Sequence, residues 1–134
     1  MPISFELEKT AAFIRTRCYG NVTLNDVLDH FQTLRDEPGL PDRLDVFLDL
    51  RDSTALPTAE QMRIASEGPG VLKGTVSFRY CAIVADRDAL YGMAHMWGVF
   101  AERFFTEFNV FRSVEEADAW LQSKRSGART ARPQ

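Results

Sequence analysis

Cysteine is scarce in this chain: Cys18 and Cys81 are the only two among 134 residues. Each sits inside an apolar, strand-like run and they form no Cys-x-x-Cys pair. Buried, reduced thiols are therefore expected, not a disulfide framework or a zinc site. Long apolar runs are missing too. No stretch approaches the roughly 20 residues needed to span a bilayer. The opening MPISFELEK has neither the basic start nor the long apolar core of a signal peptide. The expectation is a soluble, cytoplasmic chain with no stable membrane insertion. A basic face is also absent. The 16 Lys and Arg are spread along the chain against 19 Asp and Glu, for a net charge of −3, so nucleic acid is not an expected partner. Glycine forms no phosphate-binding pattern: Glu67-Gly68-Pro69-Gly70 reads as a helix stop, and no Gly-x-Ser-x-Gly elbow occurs.

What is present is a globular composition, 45% hydrophobic with 26% charged. A chain of this length can remove about two thirds of its unfolded surface from water. Ile3 to Leu7 alternates apolar and polar, the period of a half-buried strand, and the run from Ala11 to Tyr19 follows it after Lys9-Thr10, predicting an antiparallel hairpin. Thr23 with Asp26 forms a capping box ahead of Val27, Leu28, Phe31 and Leu34, which share one helical face. Leu44 to Leu50 and Tyr80 to Ala85 read as strands covered on both faces. Between them, Arg51 to Leu56 reads as polar loop, Thr58 with Gln61 opens a second helix, and Val71 to Ser77 is ambiguous. Asp86 is the expected cap of a long helix from Arg87 to Phe105. Asn109 to Phe111 is a short edge strand, and Ser113 with Glu116 starts a last helix.

The resulting order, ββαβαβαβα, implies crossovers and parallel pairing after the hairpin. The fold class expected is α/β, a mixed sheet of about five strands with helices packed on it. Residues 1–125 form a single domain, and 126–134, small and polar and basic, form a disordered tail.

The segments CYGNVTLNDV, VFLDLRD, YCAIVAD, DALYGMAHMWG and NVFRSVEEADAWL, in this order and spacing, resemble the SpoIIAA-like family of the STAS (anti-sigma-factor antagonist) and SEC14-like superfamily. The resemblance covers nearly the whole chain up to Leu121. It implies the same mixed sheet with helices packed on it. Anti-sigma antagonists are switched by phosphorylation of a serine in the loop between a central strand and the next helix. The matching loop here is Arg51-Asp52-Ser53-Thr54, which makes Ser53 the candidate phosphorylation site. The family pattern is nearer Asp-Ser-Ser-Gly at the helix start, whereas this chain has Asp-Ser-Thr-Ala and then Leu56-Pro57.

Two constellations could carry binding. On a helical wheel, Leu90, Ala94, Trp97, Ala101 and Phe104 form a core stripe, leaving Tyr91, Gly92, His95, Met96, Val99, Glu102 and Arg103 on the other side. Tyr91, His95, Met96 and Val99 are therefore candidates for a homodimer contact, with charge pushed to the rim, or for the wall of a ligand pocket. The second is the polar cluster Asp49, Arg51, Asp52 and Asp86, beyond the carboxyl ends of two buried strands, where ligands gather in open α/β sheets. No catalytic residue is assigned, because no nucleophile and base share a context. No metal is assigned, because nothing joins His30 to His95, and no cofactor is assigned. The function expected is a non-enzymatic interaction or regulatory domain, self-associating and able to meet a regulatory protein partner. The alternative is a binding module for a small apolar or anionic ligand.

Overall fold

The computed structural model describes residues 2–130, with side chains through Gly127. Strand β1 (Ile3–Glu8) and strand β2 (Phe13–Gly20) form the predicted hairpin, in a register running from Ile3 opposite Cys18 to Glu8 opposite Phe13. The turn between them uses Ala12 at a φ of 53°, and its N–H donates to the Lys9 carbonyl at 3.2 Å. Helix α1 (Leu24–Arg35), strand β3 (Arg43–Ser53), helix α2 (Ala59–Ala65), strand β4 (Ser77–Val84), helix α3 (Asp88–Ala101), strand β5 (Glu107–Phe111) and helix α4 (Val114–Thr130) follow.

The sheet order is β1-β2-β3-β4-β5, antiparallel only between β1 and β2. Each parallel strand lies beside its predecessor, so every crossover steps in the same direction. Right-handed crossovers then force α1, α2 and α3 onto one face. Helix α4 follows the last strand and covers the other face, where Ala117 and Leu121 pack on Phe13, Phe47, Ala82 and Val84. The central strand shows the consequence of being covered on both sides. Leu44 and Phe47 are fully buried, and burying a side chain such as Phe47 is worth about 2–3 kcal/mol.

Local chemistry sets the element ends. Thr23 and Thr58 both make full capping boxes, with Asp26 and Gln61 bonding back to the cap N–H groups at 2.8 Å. At the start of α4 the Ser113 hydroxyl accepts from the Glu116 N–H at 3.2 Å. The ambiguous stretch is a short 3-10 turn over Gly68–Leu72 followed by Gly74 at a φ of 86°, a conformation glycine adopts without a Cβ penalty, which aims the chain into β4. Gly98 is buried where α3 meets β5, and a Cβ there would overlap the Phe108 ring.

Two expectations are corrected. β3 runs on through Ser53, because β2 keeps pairing with it as far as Gly20 opposite Ser53, so the supposed loop from Arg51 begins only after that residue. Asp86 does not cap α3: the cap position is Arg87, without a side-chain cap bond, and Asp88 lies in the first turn. Helix α4 itself runs through Thr130, and residues 131–134 of the expected tail lie outside the described residues. No helix among the described residues is long and apolar enough to cross a membrane.

Candidate functional site

Under α1, α2 and α3 the sheet does not meet the helices everywhere. A cavity of about 410 Å³ remains, floored by Ile14, Thr16, Cys18, Val46, Leu48 and Leu50 and walled by side chains from all three helices. That volume lies within the usual range for small-molecule sites, about 300–1,000 Å³. The floor follows from strand alternation: Val46, Leu48 and Leu50 point to this face, while Asp45, Phe47 and Asp49 point to the other. Trp97 and Met93 of α3, Phe31 of α1 and Met62 of α2 complete the apolar lining. Leu56, the most exposed of the large hydrophobic side chains at 67%, stands with Pro57, Asn21 and Gln61 where the cavity opens.

Among the described residues, no Asp, Glu, Lys or Arg lines this space. Its polar groups are uncharged: Thr16, Asn21, Thr23, Ser53, Gln61, His30 and the Cys18 thiol. Burial pushes the Cys18 pKa up to about 12 and the His30 pKa down to about 4, so both are neutral at pH 7. The imidazole of His30 lies edge-on to the rings of Phe5 and Phe31, with centroids 5.6 and 5.2 Å away.

Ser53 reaches this cavity through an irregularity. Between Arg17 and Tyr19 the β2–β3 register shifts by a residue, so Ser53, not Asp52, turns to the cavity face. Ser53 is 4% exposed, its Oγ accepts from the Ala55 N–H at 3.4 Å, and its carbonyl accepts from the Arg87 guanidinium. A kinase could reach that hydroxyl only after the segment moved.

The polar cluster at the strand ends is divided into separate ion pairs. Arg51 holds Asp49 with bonds of 3.0 and 2.8 Å from its guanidinium, and the Arg51 N–H adds a third at 3.0 Å. Burial works against the Asp49 carboxylate, but those bonds outweigh it and hold its pKa below the usual value. Asp52 pairs with Arg17 at 2.7 Å, on the solvent side of β2. Asp86 is exposed and makes no hydrogen bond or ion pair among the described residues, and Asp88 pairs with Arg112 at 2.7 Å. The carboxylates at the ends of β3 and β4 do not converge, and no group of three potential metal ligands occurs among the described residues.

The other predicted constellation lies outside the cavity. Tyr91 and His95 meet edge-to-face at 4.9 Å on the outer side of α3, with the Arg112 guanidinium 4.3 Å from the centre of the Tyr91 ring. Met96 and Val99 beside them are 38% and 59% exposed. The cavity wall is the opposite side of the same helix: Leu90, Met93, Ala94 and Trp97. Sequence reasoning assigned these to the core. The helical period shows which residues face the sheet, but not whether the helix lies flush on it.

No protein-family model matches the chain, and no curated protein matches it. Among solved structures, an uncharacterized protein of the DUF3478 family with a SpoIIAA-like fold, from Shewanella loihica PV-4, matches with a TM-score of 0.60. The two are 17% identical, over 89% of this chain and 93% of that one. With a five-stranded mixed sheet that opens in an antiparallel hairpin and carries helices on both faces, this chain has a SpoIIAA-like fold.

Proposed function

We propose that the chain is a binding module for a small apolar molecule held between the sheet and helices α1, α2 and α3. The observation that carries this reading is the cavity of about 410 Å³ with no charged side chain among the described residues of its lining. At about 30 Å³ per water-sized atom, it has room for roughly a dozen non-hydrogen atoms. The reading is one of binding without catalysis: Thr16, Ser53 and His30 form no hydrogen-bonded pair of nucleophile and base among the described residues. The test is thermal unfolding with a neutral apolar probe such as propylbenzene. A bound probe raises the midpoint with probe concentration, and Trp97 fluorescence, from the cavity wall, changes in parallel. An unshifted midpoint at saturating probe would remove the reading.

A second copy of the chain is the partner that the outer side of α3 fits best. Asp88, Gly92, His95 and Val99 follow one stripe at the four-three-four spacing of a helix face. A two-fold antiparallel pairing centred between His95 and Met96 brings Val99 of one copy over Gly92 of the other, where a Cβ would meet nothing within 4 Å. In the same pairing Arg103, in the turn that follows α3, comes toward Asp88 of the other copy, where it would share that carboxylate with Arg112. Sedimentation tests it. Arg103→Asp is expected to give monomers and the Arg103→Asp, Asp88→Arg pair to restore dimers; a wild-type chain that stays monomeric at high concentration rejects the pairing.

A further inference from the structure

The cavity lining is not uniformly greasy, and its polar groups are unevenly satisfied. Thr23 and Gln61 are committed to capping boxes, and the Ser53 Oγ accepts from Ala55. Thr16 and His30 are different. Neither side chain makes a hydrogen bond among the described residues. Thr16 is 4% exposed, yet no described buried side-chain oxygen or nitrogen is sealed off without a partner. Its hydroxyl therefore keeps a small accessible surface, and the cavity is what it opens onto. A buried hydroxyl left unpaired costs about 1–3 kcal/mol, so a position like this one is normally matched by something.

The two groups share a neighbour. Thr16 lies directly opposite Phe5 in the β1–β2 register, on the same face of the sheet, and the Phe5 ring packs edge-on against His30. Both line the cavity, Thr16 from its floor and His30 from α1, with Phe5 as their common neighbour.

We propose that Thr16 and His30 form a clamp for a single uncharged polar group, a hydroxyl or a carbonyl, on an otherwise apolar ligand. The inference rests on the cavity reading above and narrows it. Of the two ligand classes open to a module of this kind, apolar or anionic, it selects the neutral one. An anion would enter a space with no Lys or Arg among the described residues of its walls and no protonated histidine, so its charge would find no partner there. A neutral hydroxyl costs far less to bury and gains both partners: the Thr16 hydroxyl can donate or accept, and the neutral imidazole offers one nitrogen of each kind. An alkane fits as well but leaves both protein groups unmet, which is the asymmetry that lets a site select a hydroxyl.

Three probes of one shape separate the possibilities: propylbenzene, phenylpropanol and phenylpropanoate, titrated at pH 7.5 and read by Trp97 fluorescence in a Trp120→Phe background. Phenylpropanol is expected to bind roughly five- to tenfold more tightly than propylbenzene, and phenylpropanoate more weakly than either. Thr16→Val removes the hydroxyl with little change of shape. It is expected to abolish the preference for the alcohol over the hydrocarbon, while Thr16→Ser keeps the preference. His30→Leu is expected to reduce the same preference. Equal affinity for alcohol and hydrocarbon, or a Thr16→Val effect of equal size on both, retains the cavity but overturns the clamp. Tightest binding by phenylpropanoate overturns the neutral class. Binding of none of the three overturns the cavity reading and the clamp with it.

Discussion

Ala65→Leu tests whether the space beneath the helices is open. Ala65 is the last residue of α2, lines the cavity, and is 8% exposed. Leucine is acceptable at that position in a helix, so the outcome turns on what its three added carbons meet. If they enter vacant apolar space they leave water at about 0.8 kcal/mol each, and the protein gains about 2 kcal/mol. If the cavity is already closed by neighbouring side chains, the same carbons overpack it and cost about 1–3 kcal/mol. The two cases differ in sign. Urea titration followed by circular dichroism reads it directly: for a slope of about 1.5 kcal/mol per molar, the open case raises the midpoint by about 1 M. The same variant should bind propylbenzene more weakly, since the room is taken. A lower midpoint at an unchanged slope would refute both the vacancy and the ligand reading built on it.

The neutral His30 makes stability depend on pH. Its pKa is about 4 in the fold against an ordinary 6.5, so between those values the unfolded chain holds a proton that the native one lacks, and stability falls as pH falls through that window. The full difference is about 3 kcal/mol at about 1.4 kcal/mol per unit, and His30→Leu should flatten that part of a stability curve measured from pH 7 to pH 4. Asp45 is fully buried and bonded by both guanidinium arms of Arg79 at 3.1 and 2.9 Å, with Arg125 at 3.2 Å. Arg79→Met should cost about 3 kcal/mol by leaving that carboxylate short of its partner, whereas Arg15→Met, at the exposed pair with Asp118, should change stability by less than about 1 kcal/mol; chemical denaturation distinguishes them. Gly98→Ala should lower stability despite the better helix former, because the Phe108 ring occupies the place of the new methyl; thermal unfolding with a raised midpoint would contradict it.

The residues differ in how much of this they disclose one segment at a time. Capping boxes at Thr23 and Thr58 are legible because donor and acceptor lie three residues apart. The hairpin is legible because alternation of period two needs only a few neighbours. The inward turn of Leu90 and Ala94 and the outward turn of Val99 follow from the helical period alone. The register shift at Arg17 and Tyr19 is not legible, because it is a relation between two strands separated by a helix, and with it went the orientation of Ser53. The cavity was hidden for a similar reason. Its walls come from three helices whose side chains read individually as ordinary core, and a gap between packed elements leaves no mark on any one of them. The strand-end acids looked convergent because sequence shows which strands end together but not that Arg17 and Arg51 reach their carboxylates first.

Among the described residues, helix α4 covers Phe13, Phe47, Ala82 and Val84, and it follows all five strands. Because α4 is made after all five strands, an aromatic and aliphatic surface of the sheet stays uncovered until that helix docks. Such a half-clad nascent chain is a target for chaperones and for premature association. Arg125, reaching back to Asp45, is one of the side chains that tie the docked helix to the sheet.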